Sequence, residues 1–524
     1  MAELPRVTYS NIHTDFSPLH DWLDRELPLF RARVLGRGWP NRIAGRTDED
    51  GTPYEARSPI DRDMTLGRFV AASPAAVGRA VAAARAAQPA WARTPWRERV
   101  AAFRRLADAL ARRKYDLGMA LLLEVGKSRL ESMGEAEEAV DMVLYYCEEM
   151  ERNDGFVRPL KRAFPNEETT DILRPFGVFG VIAPFNFPLA LAVGMLTGAV
   201  LTGNTAVFKP SPMAGLSGAL LMEAFAEAGF PEGAVNMVCG GDEVGRALIA
   251  DPRLGGAAFT GSHRAGMDIF RALAQGPCAR PAIVEMGGKN PAYVAASADL
   301  DAAAAGVMRS AFGLQGQKCS ACSKAYVARD VLGPFLEKLL ALTAKIRIGD
   351  PQGRDIYMGP VIDQRALARF EKAIAAARAD GRVLTGGARL AGGLFDRGVY
   401  IAPTVVAGIA PDHWIHRDEL FLPFLAVQTF DDLGQAITDG NRVAYGLTAG
   451  IYTGRDDELE VFQERAEAGV LYANRASGAT TGAWPGMQSF CGWKGTGLTG
   501  KGGLGPYYLP QFLREQSRTI FRAG

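Results

Sequence analysis

The chain is poor in the residues that mark several common classes of protein. Its 524 residues include only six cysteines and five histidines. The cysteines, at positions 147, 239, 278, 319, 322 and 491, are too few and scattered for a disulfide framework, and so little histidine leads us to expect no metal site. An excess of charge is also lacking, since 59 Lys and Arg stand against 58 Asp and Glu for a formal net charge of +1. Such a balance carries no electrostatic footprint for nucleic acid or an anionic membrane, so neither is expected as a partner and substrate recognition must be local. A long apolar run is missing too. Residues 175–208 contain no charged side chain, but Pro184, Asn186 and Pro188 interrupt them and Gly177, Gly180, Gly194, Gly198 and Gly203 punctuate them. A buried strand, loop and helix fit that stretch better than a membrane span. Residues 1–10 lack the basic-then-apolar layout of a secretion signal, which together with the cysteine usage makes a reducing cytoplasm the expected location.

What is present is length and apolar content, 48% of residues, enough for large cores and two or three domains. Residues 1–60 are mixed and read as an N-terminal arm followed by short strands, with a turn at Asp50-Gly51-Thr52-Pro53. Ser73-Pro74 is a helix start, and helical patterning continues to about Gln88, over 97–114 and 117–125, and again over 131–152. Residues 156–173 read as two short strands about the polar turn 165–168. Strand and helix then alternate: strands at 177–183, 204–209, 234–239 and 256–259, with helices at 187–202, 216–228 and 241–250 between them. That alternation implies a parallel sheet with helices on both faces, whose ligands bind beyond the carboxyl ends of the strands. Thr260-Gly261-Ser262 and Gly266 sit at one such end before a helix, where free N–H groups can hold a phosphate. A second αβ region covers 299–471. The tail is Gly-rich over 492–505 and then extended through 514–521, a strand able to pair with another chain.

Within the second region, Ala311 to Ser323 places a thiol after a basic residue in a small, polar, Gly-containing segment. Lys318 and nearby backbone N–H groups could lower the pKa of Cys319 and favour the nucleophilic thiolate. Taken alone, the same cysteine also reads as a small buried hydrophobe, and Glu124 of Glu124-Val125-Gly126-Lys127 as a solvated carboxylate at a helix end.

Four separated pieces change the weighing: Pro184-Phe185-Asn186-Phe187-Pro188, Phe208-Lys209-Pro210-Ser211, Glu285-Met286-Gly287-Gly288-Lys289 and Gly316-Gln317-Lys318-Cys319. In this order and spacing the chain resembles the NAD(P)-dependent aldehyde dehydrogenase superfamily from about residue 55 to 520, and Phe259-Thr260-Gly261-Ser262 and Glu419-Leu420-Phe421 match further motifs. The resemblance implies an α/β fold with a Rossmann-like parallel-sheet cofactor domain (1–155 and 175–287, including the arm) and an αβ catalytic domain (288–475). The small β oligomerisation flap and substrate-anchor loop would come from 156–174 and 476–524. It implies Cys319 as nucleophile, Asn186 with the Cys319 N–H as oxyanion donors, and Glu285 as the base for thioester hydrolysis. Lys209, Ser211, Gly261, Ser262, Gly266, Glu419 and Phe421 would hold the cofactor. Many relatives have an acidic residue three positions after the lysine, where this chain has Pro212; NAD is expected, with NADP the alternative. Leu422 stands where the common pattern has Gly.

The flanks of the nucleophile, the Glu124 to Lys127 motif, and Asn474-Arg475 followed by Gly478-Ala479 resemble the L-glutamate γ-semialdehyde (1-pyrroline-5-carboxylate) dehydrogenases of proline catabolism. That resemblance implies Glu124 at the substrate ammonium, and Ser320 with the N–H groups of Gly478 and Ala479 at the α-carboxylate. Phe187 and Lys318 would line the same site. The loop 480–492 is longer than the family pattern and inserts Trp484, which keeps another semialdehyde or a bulkier aldehyde as the alternative substrate. A CoA-acylating variant and a non-enzymatic binding role stand further off, because Cys319, Glu285 and Asn186 are all present. Cys322, three residues after Cys319, reads as filling a small buried space or as a redox partner. The family implies at least a homodimer, through the 156–173 hairpin and the C-terminal strand.

Overall fold

Two seven-stranded sheets form the two halves of the molecule; the computed structural model describes residues 4–8, 11 and 14–522. The first sheet runs Ala282–Glu285, Gly256–Thr260, Val178–Ile182, Thr205–Lys209 and Val235–Met237, all parallel, and ends in the antiparallel strands Asn41–Ile43 and Arg46–Asp48. Side chains alternate between two cores, as period-two pleating requires. Phe179, Val181, Ala206 and Phe208 face the long helices Trp96–Val125 and Arg129–Arg152, while Val178, Ile182 and Val207 face Pro74–Arg93 and Asp242–Ala250. The second sheet orders Arg382–Thr385, Thr404–Ala407, Phe424–Phe430, Cys322–Ala328, Asn290–Val294, Thr448–Tyr452 and Val470–Ala473, parallel except at its first strand.

A three-stranded antiparallel sheet stands apart, with Glu167–Pro175 between Leu513–Phe521 and Val157–Pro159. The C-terminal strand therefore pairs within its own chain over its full length. It leaves Ile520 and Phe521 exposed.

The amino-terminal region differs from its reading as an arm and short strands, because Ser17–Val34 is a helix. Leu19, Leu23, Leu27, Phe30 and Val34 lie along one stripe of it and pack into the first core; Pro28 and the interspersed charged residues mask that spacing in the sequence. Residues 97–125 form one continuous helix, stopped by Gly126 in the left-handed region at φ 77°. Among the described residues no helix is long and apolar enough to cross a membrane, and no cluster of His, Cys, Asp and Glu could hold a metal ion.

Candidate active site

Cys319 sits in the connection from helix Leu300–Phe312 to strand Cys322–Ala328. Leu314, Gln315 and Gly316 have φ of 47°, 56° and 65° in succession, and a Cβ on Gly316 would lie 2.1 Å from the Leu422 carbonyl oxygen. This tight turn is held from several sides. Gln315 Nε2 donates to Gly126 O (2.9 Å), Ile362 N donates to Gln317 Oε1 (3.0 Å), and Asn290 Nδ2 donates to the carbonyls of Cys319 (2.7 Å) and Ala321 (2.9 Å). Asn186 is buried and donates through Nδ2 to Gln317 O at 2.9 Å, bringing its amide to the nucleophile's loop. Cys319 is half-buried. Burial, then Glu285 and Glu419, push its thiol well above the ordinary range, so it rests protonated and needs a base.

Lys318 does not favour the thiolate in the way its sequence position suggests. Its ammonium pairs with Glu131 at 2.9 Å. Cys322 is buried in the core of the second sheet, with Sγ 3.3 Å from Lys324 O, and serves packing there.

On one side of the thiol stand carboxyls without ion-pair partners among the described residues. Glu285 ends strand Ala282–Glu285, its Oε1 has no hydrogen-bond partner, and burial pushes it up to about 8. It lines a small pocket with Thr260, Phe490 and Tyr508. Glu419 accepts from Gly288 N at 2.8 Å and is raised to about 7 by burial, against that bond and the pull of Lys289. Phe421, at φ 56°, meets Phe185 edge-on at 5.9 Å. Leu422 is buried in an apolar cluster and lies outside the positive-φ region, so the loop accepts it where the common pattern has Gly.

Lys209 ends Thr205–Lys209, the third strand along the sheet from Glu285, with Nζ donating to Gly240 O (2.9 Å) and Pro210 O (3.0 Å), and burial lowers it to about 8. Ser211 lies beside it, buried, its Oγ accepting from Met213 N at 3.3 Å. Helix His263–Ala274 begins at the same edge under its cap Ser262. Gly261 and Gly266 let it approach closely, since a Cβ would come within 2.5 Å of the Phe259 ring and 2.3 Å of Met286 Sδ respectively. Two other helix starts are stopped by carboxylates from elsewhere: Glu135 accepts from Leu189 N and Ala190 N, and Glu124 from Leu216 N and Ser217 N. The start at Ser262 is capped only by its own exposed serine. It fits a dinucleotide pyrophosphate, with Lys209 placed for a ribose.

The other side of the thiol corrects the expectation for Glu124. That carboxylate is 1% exposed and committed to the two N–H groups at the start of helix Gly215–Glu227, so it does not face substrate. Helix Arg129–Arg152 brings carboxylates to this side of the nucleophile's loop, with Glu131, Glu135, Glu138 and Asp141 at helical spacing on one face. Glu131 pairs with Lys318 and accepts from Leu314 N. Glu135 pairs with the fully buried Lys127 at 2.5 Å, whose Nζ lies 3.5 Å from the centre of the half-buried Phe187 ring. Asp141 takes Arg6 and Trp484. Glu138 alone of the four has no hydrogen bond or ion pair among the described residues; burial and then Glu135 raise it to about 8.

The N–H groups of Gly478 and Ala479 are likewise turned inward, donating to Arg475 O (3.2 Å) and Gly306 O (3.1 Å), because the loop folds onto helix Leu300–Phe312. Thr480 makes the link to the nucleophile's loop instead, its Oγ1 donating to Ser320 O at 2.7 Å. Glu138 and Thr480 escaped the sequence reading; helical spacing from Glu131 could have found the first, and nothing local marks the second.

The model of the aldehyde dehydrogenase family matches residues 46–517. The chain belongs to the aldehyde dehydrogenase family. This aldehyde dehydrogenase is 35% identical to a Bacillus mycoides protein named 1-pyrroline-5-carboxylate dehydrogenase, over 97% of each chain, and 34% identical to a like-named protein of Halalkalibacterium halodurans over 93% of each. Among solved structures, a Thermus 1-pyrroline-5-carboxylate dehydrogenase with bound NAD superposes with a TM-score of 0.92 at 32% identity, covering 100% of both chains. The enzyme is also 30% identical to a 3,6-anhydro-L-galactose dehydrogenase, with a TM-score of 0.86 over 92% of this chain and 100% of that one.

Proposed function

We propose that this aldehyde dehydrogenase oxidises L-glutamate γ-semialdehyde, the open form of 1-pyrroline-5-carboxylate, to L-glutamate with NAD as acceptor. The observation that carries the reading is Glu138, the one carboxylate of its helix face left without a partner among the described residues, beside a loop where Lys318 is paired with Glu131. An amino-acid zwitterion needs one anionic group for its ammonium and neutral donors for its carboxylate. Glu138 supplies the first, the arriving ammonium drawing its carboxyl to the ionised form, and the Ser320 hydroxyl supplies a neutral donor for the second. Relatives that carry the 1-pyrroline-5-carboxylate name over nearly the whole chain support it.

The chemistry follows from the raised pKa values. Glu285, at about 8, takes the Cys319 proton, and Sγ bonds to the aldehyde carbon while the carbonyl oxygen becomes an oxyanion. The second N–H of the Asn186 amide and the Cys319 backbone N–H stabilise that oxyanion, each such donor worth roughly 3 kcal/mol of barrier. Lys209, Ser262 and Glu419 would hold NAD, which would supply the hydride acceptor. Glu285 releases that first proton to solvent and then removes one from the water that attacks the thioester; the carbon–sulfur bond breaks, the proton passes from Glu285 to the Cys319 thiolate, and the carboxylate product leaves.

The exposed Ile520 and Phe521 on the three-stranded sheet favour a homodimer at least, and free thiols at all six cysteines accord with the cytoplasm. A second reading, oxidation of a bulkier aldehyde, is favoured by the longer 480–492 loop. Steady-state kinetics with 1-pyrroline-5-carboxylate and a panel of aldehydes, using NAD and NADP and with CoA present or absent, test both. We expect the highest kcat/KM for the γ-semialdehyde with NAD, and free glutamate as product. A far higher value for another aldehyde, or an acyl-CoA product, overturns the proposal.

A further inference from the structure

The loop 480–492 is where this chain departs most from its family's pattern, and it is fastened at points far apart in sequence. Behind the nucleophile, Thr480 Oγ1 donates to Ser320 O at 2.7 Å. In its middle, Trp484 is buried, 6% exposed, and its indole Nε1 donates to Asp141 Oδ2 at 2.9 Å. Next to it Gly486 N donates to Leu504 O at 3.1 Å, and a Cβ on Gly486 would come within 2.9 Å of the Tyr145 ring. The loop lies flat on helix Arg129–Arg152 with no room to sink further.

Asp141 follows Glu138 by three residues on that helix face, so the indole stands one turn beyond the unpartnered carboxylate of the pocket. Asp141 is gripped from its other side by the N-terminal arm. Arg6 Nη2 reaches Asp141 Oδ1 (2.8 Å) and Oδ2 (2.9 Å), and its Nε reaches Glu137 Oε2 (3.0 Å). A guanidinium that reaches Asp141 through Nη2 and Glu137 through Nε is anchored on two carboxylates, and it holds Asp141 where Oδ2 receives the indole N–H. The arm thereby acts on the loop at the pocket without touching substrate.

We propose that Trp484 is a specificity-determining residue that closes the far end of the aldehyde pocket, and that Arg6, acting through Asp141, is the positioning residue that holds it closed. The proposal takes from the reading above only that the aldehyde extends from Cys319 toward Glu138; it does not need the substrate to be a zwitterion.

Straight-chain aldehydes from propanal to octanal with NAD therefore provide the test, and failure of the wild type on 1-pyrroline-5-carboxylate would leave this test readable. Removing an indole from the end of the pocket opens space for several methylenes, each worth about 10-fold or more in selectivity when well packed. W484A is expected to raise the octanal-to-propanal ratio of kcat/KM at least about 10-fold, through KM, with kcat for propanal within about twofold of wild type. R6A and W484F, which loosen the indole or remove its N–H while leaving a ring, are each expected to shift the ratio about threefold, and the double variant no further, since both break one chain of contacts. Where turnover is too slow to follow, inhibition constants of the matching carboxylates give the same ratio. A wild-type ratio in W484A overturns the proposal; if W484A does not fold, a wild-type ratio in W484F does so. Additive shifts in the R6A/W484F pair overturn the role of Arg6.

Discussion

The two sides of Cys319 are built on opposite electrostatic plans. Toward the substrate the buried charges come in pairs, Lys127 with Glu135 and Lys318 with Glu131, and Glu138 is left without a partner among the described residues. Toward the cofactor edge, Glu285 and Lys209 make no ion pair among the described residues, and burial moves both to about 8, from opposite directions. A paired charge is fixed in place and in protonation, so the first side is a mould. An unpaired buried charge titrates near neutrality, so the second side can move protons.

Glu285→Gln tests that contrast most severely. The side chain keeps its size and loses its proton chemistry, so kcat should fall about 10²- to 10⁴-fold. If hydrolysis is the step lost, NADH should appear as a burst of one equivalent and mass spectrometry should find an acyl group on Cys319. In the wild type the deacylation rate should rise with pH through about 8, as Glu285 loses its proton, and the variant should be flat there. An unchanged rising limb in the variant would assign the titration to another group and remove the distinction between the two sides. Asn186→Ala comes next, with kcat lowered about 10²- to 10³-fold for every aldehyde, because the amide acts at the reacting carbon whatever is attached to it.

Glu138→Gln should affect the mould alone. A charge-assisted hydrogen bond is worth roughly 1.5–3 kcal/mol, so KM for the γ-semialdehyde should rise about 10- to 100-fold while propanal changes less than about twofold. Equal effects on both substrates would mean that Glu138 shapes the pocket and does not read the ammonium.

How much of this was legible in the sequence depended on whether a residue's role is set by local pattern or by distant packing. The alternation of strands and helices from 177 onward emerges in the first sheet because fully buried strands and helices with one apolar face leave periodic traces. The motifs around Asn186, Glu285 and Cys319 also pointed to one site, and the folded chain gathers Cys319, Asn186 and Glu285 there. Glu124 and Glu138 show the limit. Both are glutamates near the ends or faces of long helices, and only the arrival of helix Gly215–Glu227, some ninety residues later, determines that Glu124 caps it. Lys318 adjoins the nucleophile in sequence, yet consecutive side chains in a tight turn diverge, and its ammonium finds Glu131 instead. The Gly478 and Ala479 N–H groups are donors in any conformation; which way they face was decided by helix Leu300–Phe312.

The smallest expected effect reads the same contrast through stability. The Glu285 carboxyl ionises near 4.5 in the unfolded chain and near 8 in the folded one, so between those values the folded protein retains a proton that the unfolded one has released. Stability must then fall as pH rises through that window, and the loss is complete above about 8. Gln at 285 has no such proton, so the melting temperature of Glu285→Gln should match wild type near pH 4.5 and exceed it by about 1–3 °C at pH 8. Glu135→Gln on the other side should do the reverse. It leaves the fully buried Lys127 without its counter-charge, which costs about 3–5 kcal/mol in comparable cases and lowers the melting temperature. Scanning calorimetry of the two variants at both pH values, at one scan rate, separates the signs. A lower melting temperature for Glu285→Gln at pH 8 would mean that this carboxylate is held by a favourable partner, and the cofactor side would then be as firmly paired as the substrate side.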